Sequence, residues 1–382
     1  MKIGILTLPL HTNYGGNLQA YALMTYLKDM GHEVWIIDRR WSKSLIPLWK
    51  LPFAIIKRSI RKYLLNKKDE IVFREKKWND EYKALSIHTQ KFIDKHIQPQ
   101  TTTFHTKKAI SKGIDFYNFD AIIVGSDQVW RPGYTPNIEN YFLDFVNNKN
   151  VKKISFAASF GTDVMEFTEV QQKKCARLLR QFDAVSVRET SGVNLCLEYF
   201  NVKATHVLDP TMLLPNSKYL DLLTDYTNSS RKSGGLLVYI LDETADKLNL
   251  IKKISSELAL STFKVNSKTE DSSAPLSQRI APPTEEWIKG FYDADFVITD
   301  SFHACVFSIL FHKPFVVYGN KGRGVARFIS LLEMFNLMDR LVYSLDDLRD
   351  STFKKGINWE EVDGILELER KKSHEFITTS LL

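Results

Sequence analysis

Short, largely apolar runs recur along most of the chain, most of them ending in a polar turn and followed by a helical segment, and this pattern restricts the fold more than any other feature. A strand buried on both faces reads as a continuous apolar run, and parallel sheets covered by helices produce such strands. The runs occupy residues 3–8, 33–38, 121–125, 153–158, 184–187 and 205–208, then 236–241, 262–265, 296–299 and 314–318. Helical patterns separate them at 18–27, 171–182, 191–200, 245–259, 284–294 and 304–311. Between the two sets, residues 221–235 are polar and rich in Ser, Thr, Asn and Gly, the composition of a linker. A chain of 382 residues also exceeds the roughly 250–300 at which one core stops growing. The expected architecture is α/β, with two Rossmann-like lobes facing a cleft. The N-terminal lobe spans 1–220 and the C-terminal lobe 235–358, and a charged helix over 359–382 packs back across them.

Residues 39–110 interrupt the alternation with basic, aromatic-containing helical segments and read as an insertion. Ten basic residues and no acidic one lie between Arg39 and Lys68, while the whole chain is +7, so the remainder is net negative. Basicity confined to one segment, without a nucleic-acid motif, argues against nucleic-acid binding. From Trp49 to Lys68, Phe53, Ile56, Ile60 and Leu64 fall at helical spacing beside Lys57, Arg58, Arg61, Lys62, Lys67 and Lys68. Such a helix either packs on its own domain or makes peripheral contact with an anionic membrane. No apolar run approaches the roughly 20 residues of a membrane span. Residues 1–10 lack the basic region and cleavage site of a signal peptide. Cys175, Cys196 and Cys305 are odd in number and widely spaced, which suits free thiols in a reducing cytoplasm and supplies no zinc signature. The expected location is the cytoplasm, with peripheral contact at the inner membrane face. Cys305 follows His303 closely, but nothing places its thiolate in an activating environment, so a small buried helix residue is the preferred reading.

Open parallel sheets bind ligands outside the carboxyl ends of their strands, so the turns after strands hold the candidate site residues. The loop with Asn13, Tyr14, Gly15 and Gly16 opens a helix. It is either a tight turn capped by Asn13 or Asn17, or a loop whose backbone approaches a ligand. It is not GxGxxG, so dinucleotide binding is not indicated. Ser126 and Asp127 end the 121–125 strand, where Asp127 can accept from a ligand hydroxyl or cap the next turn. Arg188 and Glu189 end another. Adjacent strand residues point to opposite faces, which disfavours a mutual ion pair and favours Arg188 as an anion ligand. In Asp300-Ser301-Phe302-His303, Ser301 is a helix N-cap and His303 falls in the first turn. There His303 either donates to an anionic ligand or packs as a core histidine. Lys321 and Arg323, in the glycine-rich turn 319–324, form an anion cradle or a solvated turn.

Read together, NYGGNLQAYAL (13–23), DAIIVGSDQVW (120–130), SFAASFG (155–161), VSVRE (185–189), VLDPTMLL (207–214) and ITDSFHACVFSILFHKPFVV (298–317) resemble the polysaccharide pyruvyl transferase family, in family order. The insertion carries none of these motifs. The resemblance implies a fold similar to B-type glycosyltransferases. It implies phosphoenolpyruvate as donor and a sugar of a surface polysaccharide, or of its lipid-linked precursor, as acceptor. The product is a ketal with release of phosphate, and no metal or organic cofactor is called for. It places Arg188 and His303 on the donor, with His303 as general acid. Ser301, Lys321 and Arg323 are expected to assist donor binding, and Asp127 to act as base. Asn13, Tyr14, Gly15, Gly16, Ser126, Glu189 and Asp300 are expected along the cleft. Many members carry arginine or leucine just before the histidine, where this chain has Ser301-Phe302. Two other classes suit the same architecture. One is a nucleotide-sugar glycosyltransferase with the basic turn on a diphosphate, and the other a non-catalytic glycan-binding subunit of envelope assembly.

Overall fold

The computed structural model describes residues 1–41, 50–64, 72–226, 233–269, 271, 273–319 and 324–382. Strands β1 (Lys2–Leu6), β2 (Glu33–Ile36), β3 (Ala121–Val124), β4 (Lys152–Ala158), β5 (Ala184–Val187) and β6 (Thr205–His206) form one sheet in the order β2-β1-β3-β4-β5-β6. All its pairings are parallel. Strands β7 (Leu236–Tyr239), β8 (Thr262–Phe263), β9 (Phe296–Thr299), β10 (Phe315–Tyr318) and β11 (Leu341–Val342) form a second parallel sheet in the order β11-β10-β9-β7-β8. Every residue of β3, β7 and β9 is buried, as continuous apolar runs require. In the first sheet the chain leaves β1 for β2 on one side and β3 on the other. That reversal opens a crevice at the carboxyl ends of β1 and β3.

Several local expectations change. The helix after β9 starts at Phe302, as an N-cap at Ser301 requires and ahead of the apolar pattern at 304–311. The stretch 268–283, expected as loop, contains a short helix, Leu276–Arg279. Strand β11 has two residues, too few to show as a run. The insertion holds helices Leu51–Ser59, Arg74–Leu85, Ile87–His96 and Lys107–Gly113, but is not purely helical. On its return the chain pairs Gln100 with Ile36 and Phe104 with Arg39, extending the sheet edge beside β2.

The lobes share apolar contacts. Tyr14 stacks on Trp287 at 5.7 Å and donates its hydroxyl to the Pro282 carbonyl at 2.7 Å, and Tyr219 meets Phe307 edge-on at 4.9 Å. The terminal helix, Trp359–Leu381, touches both lobes. Trp359 stacks on His312 at 4.9 Å. Further along, Arg370 Nε donates to the Met212 carbonyl, Ser373 Oγ accepts from the Leu208 amide, and Phe376 lies against Phe156.

Candidate functional site

Four side chains that follow strand ends meet where the lobes face each other, Ser126 beyond β3, Arg188 beyond β5, Asp209 beyond β6 and His303 beyond β9, and Arg327 joins them from the helix Ala326–Met334. Arg188 Nη1 donates to Asp209 Oδ2 at 2.6 Å, and both side chains are 1% exposed. Ser126 Oγ donates to the same oxygen at 2.9 Å and accepts from Arg188 Nη1 at 3.3 Å. The other oxygen of Asp209 accepts from the Thr211 amide at 3.0 Å and its hydroxyl at 2.6 Å. Burial opposes ionisation of Asp209. The charge of Arg188, with His303 and the Thr211 hydroxyl, outweighs it and holds the carboxyl well below the usual range.

The arrangement leaves donors unused. Arg188 Nε and Nη2 and His303 Nε2 are buried without a hydrogen-bond partner. His303 Nε2 stands 3.6 Å from Asp209 Oδ2, just outside hydrogen-bond reach. Buried polar groups are normally satisfied, so these three donors are available to an acceptor-rich ligand. Phe302 supports both arginines: its ring lies 4.4 Å from the Arg188 guanidinium carbon and 5.5 Å from that of Arg327. Such contacts fix a cation over an aromatic face. Burial, and then the like charge of Arg188, lowers the pKa of Arg327 to about 10, which still leaves it charged at neutral pH.

The remaining expected residues divide by what they touch. Asn13 caps the Tyr14–Asp29 helix by accepting from the Gly16 amide at 3.1 Å, while Asn17 donates to the His11 carbonyl. Gly15 abuts the imidazole so closely that a Cβ there would lie 2.1 Å from His303 Nδ1. Asp127 holds φ at +83°, a left-handed conformation uncommon outside glycine, and accepts from the Gln128 amide through Oδ1. Its Oδ2 faces Gly16. Tyr14 bonds across to the other lobe, as described above.

Glu189 diverges from Arg188. Its Oε1 accepts from Ser159 Oγ and the amides of Phe160 and Gly161, so it braces the turn after β4. Asp300, expected along the cleft, is instead committed to Lys247 Nζ at 2.7 Å and to the amides of Leu241 and Asp242. Ser301 sits at the N-cap position but its side chain makes no capping bond, and its amide donates to Thr299 Oγ1. Lys321 and Arg323 lie outside the described residues. Next to them, Gly324 presses on the other lobe: a Cβ there would lie 1.7 Å from the Gly161 carbonyl oxygen.

Asp209 and Arg327 were not singled out from sequence. Asp209 obeys the same strand-end rule as Arg188 and lies within VLDPTMLL, so the signal was present. Arg327 opens a helix beyond the glycine-rich turn, and only the packing of that helix brings it to Phe302. Cys305 is buried, and burial pushes its thiol well above the usual range, which makes it an inert helix residue. Among the described residues, no group of three or more His, Cys, Asp or Glu side chains is arranged to hold a metal ion.

The sequence matches the profile of the family described as polysaccharide pyruvyl transferase over residues 13–322. No curated protein matches it. Among solved structures, the chain is similar to the UDP-GlcNAc 2-epimerase from Neisseria meningitidis bound to UDP-GlcNAc. The identity is 9% and the TM-score 0.52, covering 100% of this chain and 99% of that one. It is also similar to the UDP-N-acetylglucosamine 2-epimerase from Rickettsia bellii, at 10% identity and a TM-score of 0.52, covering 100% and 97%. At this identity the likeness is one of fold: the two-lobed Rossmann-like architecture of these epimerases.

Proposed function

The chain belongs to the polysaccharide pyruvyl transferase family, a family of transferases with sugar acceptors, and from that premise we propose that the Arg188–Asp209–His303 cluster takes phosphoenolpyruvate as donor. The pyruvyl group goes to a sugar of a surface polysaccharide or its lipid-linked precursor. The observation that carries this reading is the unused edge of Arg188. Nε and Nη2 form one side of the guanidinium fork, which matches a carboxylate or phosphate in bidentate fashion, and both lack a partner. Asp209 occupies Nη1 and so leaves that edge for a ligand.

Phosphoenolpyruvate carries a carboxylate and a phosphate on one enol carbon. Arg188 holds one anion, and Arg327, Lys321 and Arg323 serve the other. His303, as general acid, supports protonation of the methylene carbon, which turns the enol carbon into an electrophile. One sugar hydroxyl adds there, the carbon–oxygen bond to phosphate breaks, and a second hydroxyl closes the ketal. Of the two hydroxyl protons lost, one is balanced by the new methyl group and one leaves with phosphate. Asp127, through Oδ2, is the base for a hydroxyl, and Asn13 with the Gly15-Gly16 backbone lines the approach. Proton transfer of this kind contributes about 10²–10⁴-fold.

Ligand-induced stabilisation tests the donor. At 100 times its dissociation constant a ligand adds about 2.7 kcal/mol, so phosphoenolpyruvate raises the melting temperature. A response to a nucleotide diphosphate sugar alone would replace this reading with glycosyl transfer. Silence to both would favour a glycan-binding subunit.

Contact with an anionic membrane belongs to the same proposal. Helix Leu51–Ser59 buries none of its residues, and Phe53 and Tyr63 are 69% and 75% exposed, with Ile56 and Ile60 also outward. Lys57, Arg58, Arg61 and Lys62 flank this apolar stripe, each contributing about 1 kcal/mol near an anionic surface. Among the described residues no helix is long and apolar enough to cross a membrane, so the contact is peripheral. Flotation with anionic vesicles tests it. Binding that ignores both salt and neutralisation of these four residues would refute an electrostatic anchor.

A further inference from the structure

We propose that the insertion and the C-terminal lobe together build an acceptor-sugar subsite beside the Arg188–His303 cluster, an inference that rests on the pyruvyl-transfer reading. A depression of about 180 Å³ is lined by Thr12, Glu81, Tyr82, Leu85, Thr269 and Arg279. Three distant parts of the chain supply its walls: the loop after β1, helix Arg74–Leu85 of the insertion, and Thr269 with Arg279 of the C-terminal lobe.

Position ties it to the chemistry. Thr12 is three residues from Gly15, which abuts His303, so their α-carbons are at most about 11 Å apart. On the other wall, Arg279 lies three residues before Pro282, whose carbonyl accepts from Tyr14. One wall is therefore the loop that touches the imidazole, and another adjoins the segment bonded to that loop.

The lining selects a class of ligand. A volume of about 180 Å³ equals the liquid share of about six waters, on the scale of one sugar ring with its hydroxyls. Tyr82 offers a partly exposed aromatic ring and Leu85 an apolar wall for the carbon face of a sugar. Thr12, Thr269 and the Glu81–Arg279 pair offer hydroxyl and planar charged partners, and the 3.5 Å pairing offsets the charge of Arg279. Arg279 Nε is buried without a hydrogen-bond partner, a donor suited to a hydroxyl oxygen. An ion pair beside an aromatic ring fits a polyhydroxylated ligand, whereas the orphan edge of Arg188 fits an anion. The two sites thus take different halves of one reaction. The insertion, which carries none of the motifs quoted above, then takes part in acceptor choice.

Saturation-transfer NMR on the full chain, with a panel of methyl hexosides and methyl N-acetylhexosaminides as probes, tests the subsite. At least one glycoside is expected to bind. Tyr82→Ala and Arg279→Gln should each weaken that binding at least tenfold, while the melting shift with phosphoenolpyruvate stays at the wild-type value. Thr269→Trp fills the depression without removing a wall, so it should give the same loss even where a truncation disturbs folding. Wild-type glycoside binding in Thr269→Trp and in the folded truncations, or no glycoside binding at all, overturns the subsite whatever phosphoenolpyruvate does. Tyr82-dependent glycoside binding with no response to phosphoenolpyruvate keeps the subsite and removes the donor assignment instead.

Discussion

Replacing Asp209 with asparagine keeps the side chain's shape and removes its charge. Arg188 then stays buried with only neutral acceptors at its Nη1, while Arg327 faces it across Phe302. An exposed pair at 2.6 Å would be worth at most about 1 kcal/mol. This pair has both side chains 1% exposed, and breaking such a buried pair costs about 3–5 kcal/mol. That is a large share of the roughly 5–15 kcal/mol that holds a typical protein folded. The assay is urea denaturation at neutral pH, read as a lower midpoint at constant slope. The double variant Arg188→Met with Asp209→Leu removes both charges and should cost far less than the sum of the single changes. Costs that add to within about 0.5 kcal/mol would refute the coupling. Acid titration gives a second reading. The pKa of Asp209 is depressed in the folded state, so its stabilisation is complete above the ordinary aspartate value of about 3.9 and declines as pH falls below it. Asp209→Asn should therefore lose less stability than the wild type between pH 4 and more acid conditions, because that contribution is already gone.

Three further outcomes follow from the same geometry. Gly15→Ala places a Cβ 2.1 Å from His303 Nδ1, so the imidazole or the lobe interface must shift by more than 1 Å; turnover should fall about 10²-fold, and wild-type turnover would show the contact to be yielding. His303→Ala should reduce phosphate release from phosphoenolpyruvate with a glycan acceptor by about 10²–10⁴-fold while the melting temperature stays near wild type, and full turnover would remove the general-acid assignment. Lys247→Met leaves Asp300 buried without its counter-charge and should cost about 3–5 kcal/mol in urea titration; a loss under about 1 kcal/mol would show that the Leu241 and Asp242 amides suffice.

The positions of Arg188 and His303 after β5 and β9 were legible in the sequence because each follows an apolar run, and the ends of parallel strands line one edge. The expectation that Arg188 and Glu189 point apart came from the alternation of strand side chains, and the structure shows them on separate partners. Asp300 looked like a cleft residue by the same strand-end rule. It lies instead against Lys247, fifty-three positions earlier in the chain, and nothing local to the turn could indicate that partner. Phe302 looked like a departure from the family pattern, yet it is the surface on which two arginines rest.

By itself the sequence determined the alternation of elements, the two lobes and the sheet edge at which Ser126, Arg188 and His303 lie. Those follow from local periodicity and from burial of continuous apolar runs. Only the tertiary structure decided which charges meet. Ion pairing and orphaned donors depend on separations of a few ångströms between residues from both lobes, and those are set by packing across the interface. That is why Asp209 and Arg327 emerged as partners of Arg188, and why Gly15 proved inseparable from His303.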